Sequence, residues 1–166
     1  EDGIIGDGLS LSWLLPNRAF FQELTLEATN VNAGNASFER SARDNYLYLA
    51  HLKNFWDLSA NSTFEFGLTG IKGENLQKGI TDMAAFDLTY KWKPVRFNTY
   101  QMFTFQNEFY YSHAQQPDNT VINAIGFYSM VYTQVGKRTF LTGKFDYSNS
   151  PTSNSFVQKS GSVTLG

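Results

Sequence analysis

The chain has 166 residues, with 13 Lys and Arg against 15 Asp and Glu and a formal net charge of −2. Near-neutrality with interspersed signs excludes the basic stripe that a nucleic-acid partner requires, and the absence of cysteine removes disulfides, thiolate metal sites and thiol nucleophiles. The informative feature is aromatic: 15 Phe, 9 Tyr and 3 Trp occur in a sequence whose mean hydropathy is still mildly polar.

The pattern along the chain has period two, the mark of strands. The first expected strand, 8–15, sets Leu9, Leu11, Trp13 and Leu15 against Ser10 and Ser12. The second, 18–30, sets Leu24, Leu26 and Ala28 against Glu23, Thr25, Glu27 and Thr29. In the third, 44–56, Tyr48, Ala50 and Leu52 oppose His51 and Lys53; in the fourth, 62–72, Phe64, Phe66 and Leu68 oppose Thr63, Glu65 and Thr69. The fifth, 82–93, is the cleanest, with Ala84, Phe86, Leu88, Tyr90 and Trp92 on one side and Asp87, Thr89, Lys91 and Lys93 on the other. The sixth, 99–112, sets Phe103, Phe105, Phe109 and Tyr111 against Thr104, Gln106, Glu108 and Ser112, with Asn107 breaking the apolar side. The seventh, 122–135, is apolar on both sides, so its phase is unreadable. In the eighth, 138–148, Leu141, Phe145 and Tyr147 oppose Thr142, Lys144 and Asp146. The ninth, 156–166, sets Val157, Val163 and Leu165 against Ser160, Ser162 and Thr164, with Lys159 out of phase.

Several of these strands have the roughly 9–11 residues that a tilted strand needs to cross a bilayer, whereas no run of about 18 apolar residues exists to form a membrane helix. The connections are expected to alternate in length: short at Pro16-Asn17, Asp57 to Asn61, Pro94 to Asn98 and Gly136-Lys137, and longer at Val31 to Arg43, Gly73 to Thr81, His113 to Val121 and Asn149 to Ser155. Short turns on one side and long loops on the other is the outer-membrane barrel arrangement. Aromatics crowd the expected strand ends beside both the short turns and the long loops, which predicts two interfacial girdles at opposite ends, with Trp13, Trp56, Tyr90 and Trp92 in one and Tyr111 and Tyr147 in the other. The fold class expected is therefore all-β: an antiparallel up-and-down transmembrane β-barrel, about nine strands here, in one segment spanning 1–166. Nine antiparallel strands leave the first and last parallel, and bacterial barrels use even numbers, so the segment is expected to be part of a larger barrel, or else one terminal strand is miscounted and eight strands close. The start at Glu1 without a leader fits an exported chain that has lost its signal peptide.

Face assignment names the expected site. Leu24, Leu26, Phe86, Leu88, Phe103 and Phe105 are expected to face lipid near mid-bilayer, and Glu23, Glu27, His51, Lys53, Glu65, Asp87, Lys91, Lys93, Glu108, Lys144 and Asp146 to line a watery lumen. The mixed signs of that set predict no strong ion preference.

Three runs resemble the barrel strands of bacterial porin-like outer-membrane proteins: Gly8-Leu9-Ser10-Leu11-Ser12-Trp13-Leu14-Leu15-Pro16, Leu52-Lys53-Asn54-Phe55-Trp56-Asp57-Leu58-Ser59 and Asp87-Leu88-Thr89-Tyr90-Lys91-Trp92-Lys93-Pro94. Relatives in that group carry labels such as zinc-regulated or TonB-dependent outer-membrane receptor, or phosphate-selective porin-like. The resemblance implies a longer barrel in the outer membrane of a Gram-negative bacterium; no plug domain or TonB box is visible in these residues.

No catalytic motif stands out: there is no Gly-x-Ser-x-Gly elbow, phosphate-cradling loop or HExxH. No enzyme activity, metal or cofactor is expected. His51 reads as a hydrated lumen histidine or a pH-sensitive pore group. His113, beside Ser112 and near Asp118, has the residue types of a rim hydrolase, but adjacent strand residues point to opposite faces. The expected function is passive diffusion of small hydrophilic solutes or ions, with the bilayer as solvent and a protein partner or homo-oligomer as further company. The alternative is a non-enzymatic sheath or scaffold whose lumen packs a protein partner against Leu47, Leu49, Met130 and Phe140. A soluble aromatic-rich sandwich binding carbohydrate is the third reading.

Overall fold

A strand leaves half its backbone N–H and C=O groups pointing to each side, so every alternating run needs a neighbour on both flanks. The computed structural model describes residues 6–31, 37–38, 45–75, 77–97, 100–150 and 157–166, and there each run pairs with the next in sequence. The strands are β1 (Gly6–Leu14), β2 (Phe21–Val31), β3 (Leu47–Ser59), β4 (Ser62–Glu74), β5 (Ile80–Trp92), β6 (Met102–Gln115), β7 (Val121–Gln134), β8 (Phe140–Asn149) and β9 (Val157–Leu165). They form one antiparallel sheet in the order β1 to β9, an up-and-down meander that is not closed. No described helix is long and apolar enough to cross a membrane, which has no bearing on strands.

The nine expected strands are all present, displaced by a few residues at their ends. Registers fix the phase that β7 concealed: Phe109 pairs with Phe127 and Tyr111 with Ile125, so the odd-numbered residues of β7 join the apolar side. One unbroken rung then reads Trp13, Leu24, Leu52, Leu68, Phe86, Phe109, Phe127, Tyr147 and Lys159 across the whole sheet. It begins one residue from the end of β1 and finishes in the first third of β9. The strands are thus staggered, and a rung climbs from the β1–β2 turn towards the β8–β9 connection.

The connections are not sorted by length as expected. β4–β5 and β6–β7 close through residues 75–79 and 116–120, because Gly73 and Glu74, Ile80 and Thr81, and His113 to Gln115 continue the ladder instead of leaving it. Polar residues at strand ends had the composition of loop. The two turns share one design. Asn75 N–H donates to the Gly79 carbonyl and Lys78 N–H to the Asn75 carbonyl; Gln116 N–H donates to Thr120 and Asn119 N–H to Gln116. Lys78 and Asn119 both take φ of 64°, the left-handed residue that follows a type I turn in such hairpins. At the other end, Asn61 ties two connections together, its carbonyl accepting from Lys93 N–H at 2.7 Å and its Oδ1 from Val95 N–H at 2.9 Å. The expected loops Val31 to Arg43 and Asn149 to Ser155 lie largely outside the described residues.

With a single layer there is no two-sided core, and the sandwich reading loses its second sheet. Leu11, Trp13, Leu26, Leu68, Phe86, Trp92, Phe145 and Val163 are all exposed on one face. Among the described residues, a buried apolar cluster lies on the opposite face, where Phe38 (1% exposed) packs on Leu47 (3%), with Leu49, Ile71 and Met83 around them.

An asparagine tolerates the left-handed conformation that a lysine resists at about 1–2 kcal/mol. Lys78→Gly is therefore expected to stabilise the sheet by about 1 kcal/mol in chemical denaturation. Gly79→Ala should do the reverse, because a Cβ there would overlap the Gln115 carbonyl oxygen.

Candidate functional site on the polar face

Because partners across a ladder share a face, the registers sort every side chain. Ten of the eleven expected lumen residues fall on the polar face: Glu23, Glu27, His51, Lys53, Glu65, Asp87, Lys91, Glu108, Lys144 and Asp146. Lys93 does not; it follows the end of β5 and belongs to the β5–β6 connection. One rung carries Glu23, Lys53, Gly67, Asp87, Glu108, Tyr128 and Asp146, and the adjacent rung carries Glu65 and Lys144.

The charges are knitted together across and along strands. Lys53 Nζ lies 3.0 Å from Glu65 Oε1, and Lys144 Nζ lies 3.4 Å from Asp146 Oδ1 and 4.9 Å from the centre of the Tyr128 ring. Both pairs are about one-third exposed, so each contributes at most about 1 kcal/mol. Ser10 donates to Glu27 at 2.9 Å, and His51 Nδ1 shares a hydrogen bond of 2.9 Å with Thr69 Oγ1. Asp87 pairs with Glu108, a like-charge neighbour that wet surroundings or nearby cations must relieve. Its carboxylate lies over Gly67, where a Cβ would collide with it. Acids therefore outnumber lysines on the central rungs, as they do in the set expected from sequence.

The apolar face has its own order. All six expected lipid-facing residues are on it, as are all six expected girdle residues. Phe103 is the exception in depth: it pairs with Trp92 beside the β5–β6 connection, well away from mid-strand. Rings form a chain near that end, with Phe20 stacked on Trp56 (4.6 Å between centres), Trp56 on Phe64 (5.5 Å) and Tyr90 near Phe103 (6.2 Å). Mid-strand, Phe86 stacks on Phe109 at 5.4 Å. Tyr110 lies on the polar face above Gly126, where a Cβ would collide with its ring.

Charged strand residues on the apolar face, Lys72 and Asp82 among them, gather at the opposite end; Lys72 Nζ meets Asp82 Oδ1 at 2.8 Å. Lys159 stands over the Tyr147 ring at 5.6 Å. Two polar residues of that face are bonded to each other: Gln22 donates to Asn54 Oδ1 at 2.6 Å, and Asn54 donates on to the Phe66 carbonyl at 3.2 Å.

The rim residues do not assemble. Ser112 is buried on the polar face, whereas His113 is on the other, its Nδ1 2.9 Å from Asn123 Oδ1. Among the described residues no group of three His, Asp or Glu is placed to hold a metal. Phe38 was invisible to sequence reasoning, because an isolated aromatic in a polar connection has no periodicity to betray it. No family model, curated protein or solved structure matched the chain.

Asp118, at the tip of the 116–120 turn, accepts from the Thr120 hydroxyl and backbone N–H, and these bonds hold its carboxyl below the ordinary value. A depressed folded value means support that is present above the unfolded pKa and lost as pH falls through the folded one. Protection of the Thr120 amide, its exchange measured relative to free peptide at the same pH, should accordingly fall in acid, and Asp118→Ala should remove that dependence. Separately, Phe38→Ala should cost about 3–5 kcal/mol if the site cannot collapse, measured by denaturant titration.

Proposed function

We propose that this sheet is the wall of a porin-like channel in the bacterial outer membrane, passing small hydrophilic solutes or ions by diffusion. The observation that carries the reading is the uncovered apolar face that runs through all nine strands while its reverse carries carboxylates, lysines and hydroxyls. In water such a face is a large cost at about 25 cal/mol per Å²; against acyl chains it costs nothing, and the polar reverse is then hydrated in a lumen. The resemblance of the strand sequences to porin-like proteins points the same way.

Three details support a bilayer over a soluble partner. Aromatic rings band the apolar face at one end and ion-paired or ring-stacked charges band it at the other, as the two interfaces demand. Gln22 and Asn54, polar residues of that face, are bonded within the sheet. The stagger of the rungs is what tilted barrel strands require. The sheath alternative loses ground because Leu47 is already covered by the chain's own Phe38.

The excess of acids among Glu23, Glu65, Asp87, Glu108 and Asp146 over Lys53, Lys91 and Lys144 gives the lumen a mild preference for cations. In planar bilayers the natural polypeptide should conduct with a reversal potential on the cation side, and Asp87→Lys or Glu108→Lys should move it towards anions. An unchanged potential in both variants rules out this part of the wall as the filter. For the membrane assignment itself, Phe86→Arg or Leu24→Arg should cost about 2–4 kcal/mol near the midplane, whereas Thr89→Arg should be mild. Equal sensitivity on the two faces, or a protein monodisperse without detergent, refutes the reading.

A further inference from the structure

On a lumen wall every second strand position meets water, and polar residues belong there. β2 to β6 obey this on their central rungs, but β7 does not. Its positions on the polar face read Gly126, Tyr128, Met130, Tyr132 and Gln134. Neighbouring strands extend that row. Tyr110 of β6 leans across Gly126 and fills the space that a Cβ there would take. Phe140 of β8, opposite Gln134, lies 6.1 Å from the Tyr132 ring. Between them the Tyr128 hydroxyl donates to the Met130 sulfur at 3.1 Å, so that ring reaches along the strand. The result is a column of rings, with a thioether among them, that follows β7 from 126 to 134. At 3.3–3.4 Å per residue it runs on the order of 27 Å along the strand. Its two ends meet solvent, with Tyr110 37% and Phe140 36% exposed.

Both flanks of the column form hydrogen bonds. In register with Tyr128 stand Glu108 on one side and Asp146 on the other; in register with Met130 stand Gln106 and Lys144. Lys144 Nζ also lies 4.9 Å from the centre of the Tyr128 ring, and its flexible stem lets the ammonium turn from the ring to a nearby oxygen. This combination discriminates among occupants. A greasy protein segment laid on the column would bury Glu108 and Asp146 at a heavy desolvation cost. A hydrated inorganic ion needs the carboxylates alone. A sugar uses both features: the face of its ring is a patch of C–H groups that rests on an aromatic ring, and its hydroxyls project sideways towards carboxylates, amide and ammonium. Resting on the channel reading above, we propose that this column is a track for a linear neutral oligosaccharide, the solute class for which the wall is built. Successive rings offer successive stacking positions, each firm enough for entry and weak enough for release.

The test reconstitutes the natural polypeptide in planar bilayers and reads its ion current as maltohexaose or cellohexaose is added, with polyethylene glycol of matching size as the control for bulk. The same sugars are titrated calorimetrically into the protein in detergent. At least one glucan should interrupt the current at concentrations where the polymer does not. Tyr128→Ala or Tyr132→Ala should weaken that block by about tenfold, the scale of one planar stacking contact. Tyr132→Phe should keep it, whereas Tyr132→Leu, which supplies apolar bulk without a flat ring, should not. A current indifferent to both glucans overturns the proposal, as does a block no better than that of the polymer. So does a Tyr132→Leu protein that behaves like the natural one, since packing alone would then explain the residue. Block by benzyltrimethylammonium and by neither glucan overturns it in favour of aromatic cations. A polypeptide that binds a glucan calorimetrically but never conducts sinks the channel reading and leaves the glycan site standing, so the two failures are told apart.

Discussion

Register governs this molecule. Since side chains alternate strictly, a slip of one residue between two strands would carry an entire strand's apolar set to the wrong face. In a protein with a packed core such an error is corrected by the layers above and below. Here one layer exists, and correctness depends on cross-strand contacts within each face: Phe86 on Phe109, Trp56 on Phe64, Lys53 with Glu65, Ser12 with Thr25. The turns reinforce it. The matched designs at 75–79 and 116–120 each fix a hairpin's register through a left-handed residue, and the short Ala60-Asn61 turn does so for β3 and β4, where a register shift at Asp57 to Ser59 absorbs the remaining mismatch.

This dependence on alternation explains what was readable beforehand. Wherever one face is apolar and the other charged, as in β5, the strand and its orientation follow from the residues alone. β7 defeated that logic because Tyr128, Met130 and Tyr132 make its polar-side positions as greasy as Phe127 and Val131; only pairing with β6 resolves the phase. The ends of β4, β5 and β6 were missed because Glu74, Thr81 and Gln115 are polar and have the composition of loop while still paired in the ladder. Composition reports surroundings, whereas the ladder reports geometry, and the two part company at strand ends. The same holds for Lys93, polar and in phase but one residue past the last rung. What the residues alone did not give is which charges share a rung, since each rung takes single residues from many strands.

On the proposed function the sheet divides its tasks by face and by end. The apolar face answers to the solvent outside, the polar face to the solute within, and Phe38 sits on the polar face near one end. Among the described residues the charge is densest on the central rungs, where Lys53, Asp87 and Glu108 sit.

The stagger has an electrical corollary. Glu23, Asp87, Glu108 and Asp146 share a rung, but that rung starts beside the β1–β2 turn and ends near the β8–β9 connection, so the four acids do not encircle a single depth. They form a ramp. On the proposed function, an ion descending such a wall would be handed from one carboxylate to the next in a spiral, never held by all at once, which favours rapid throughput over tight capture.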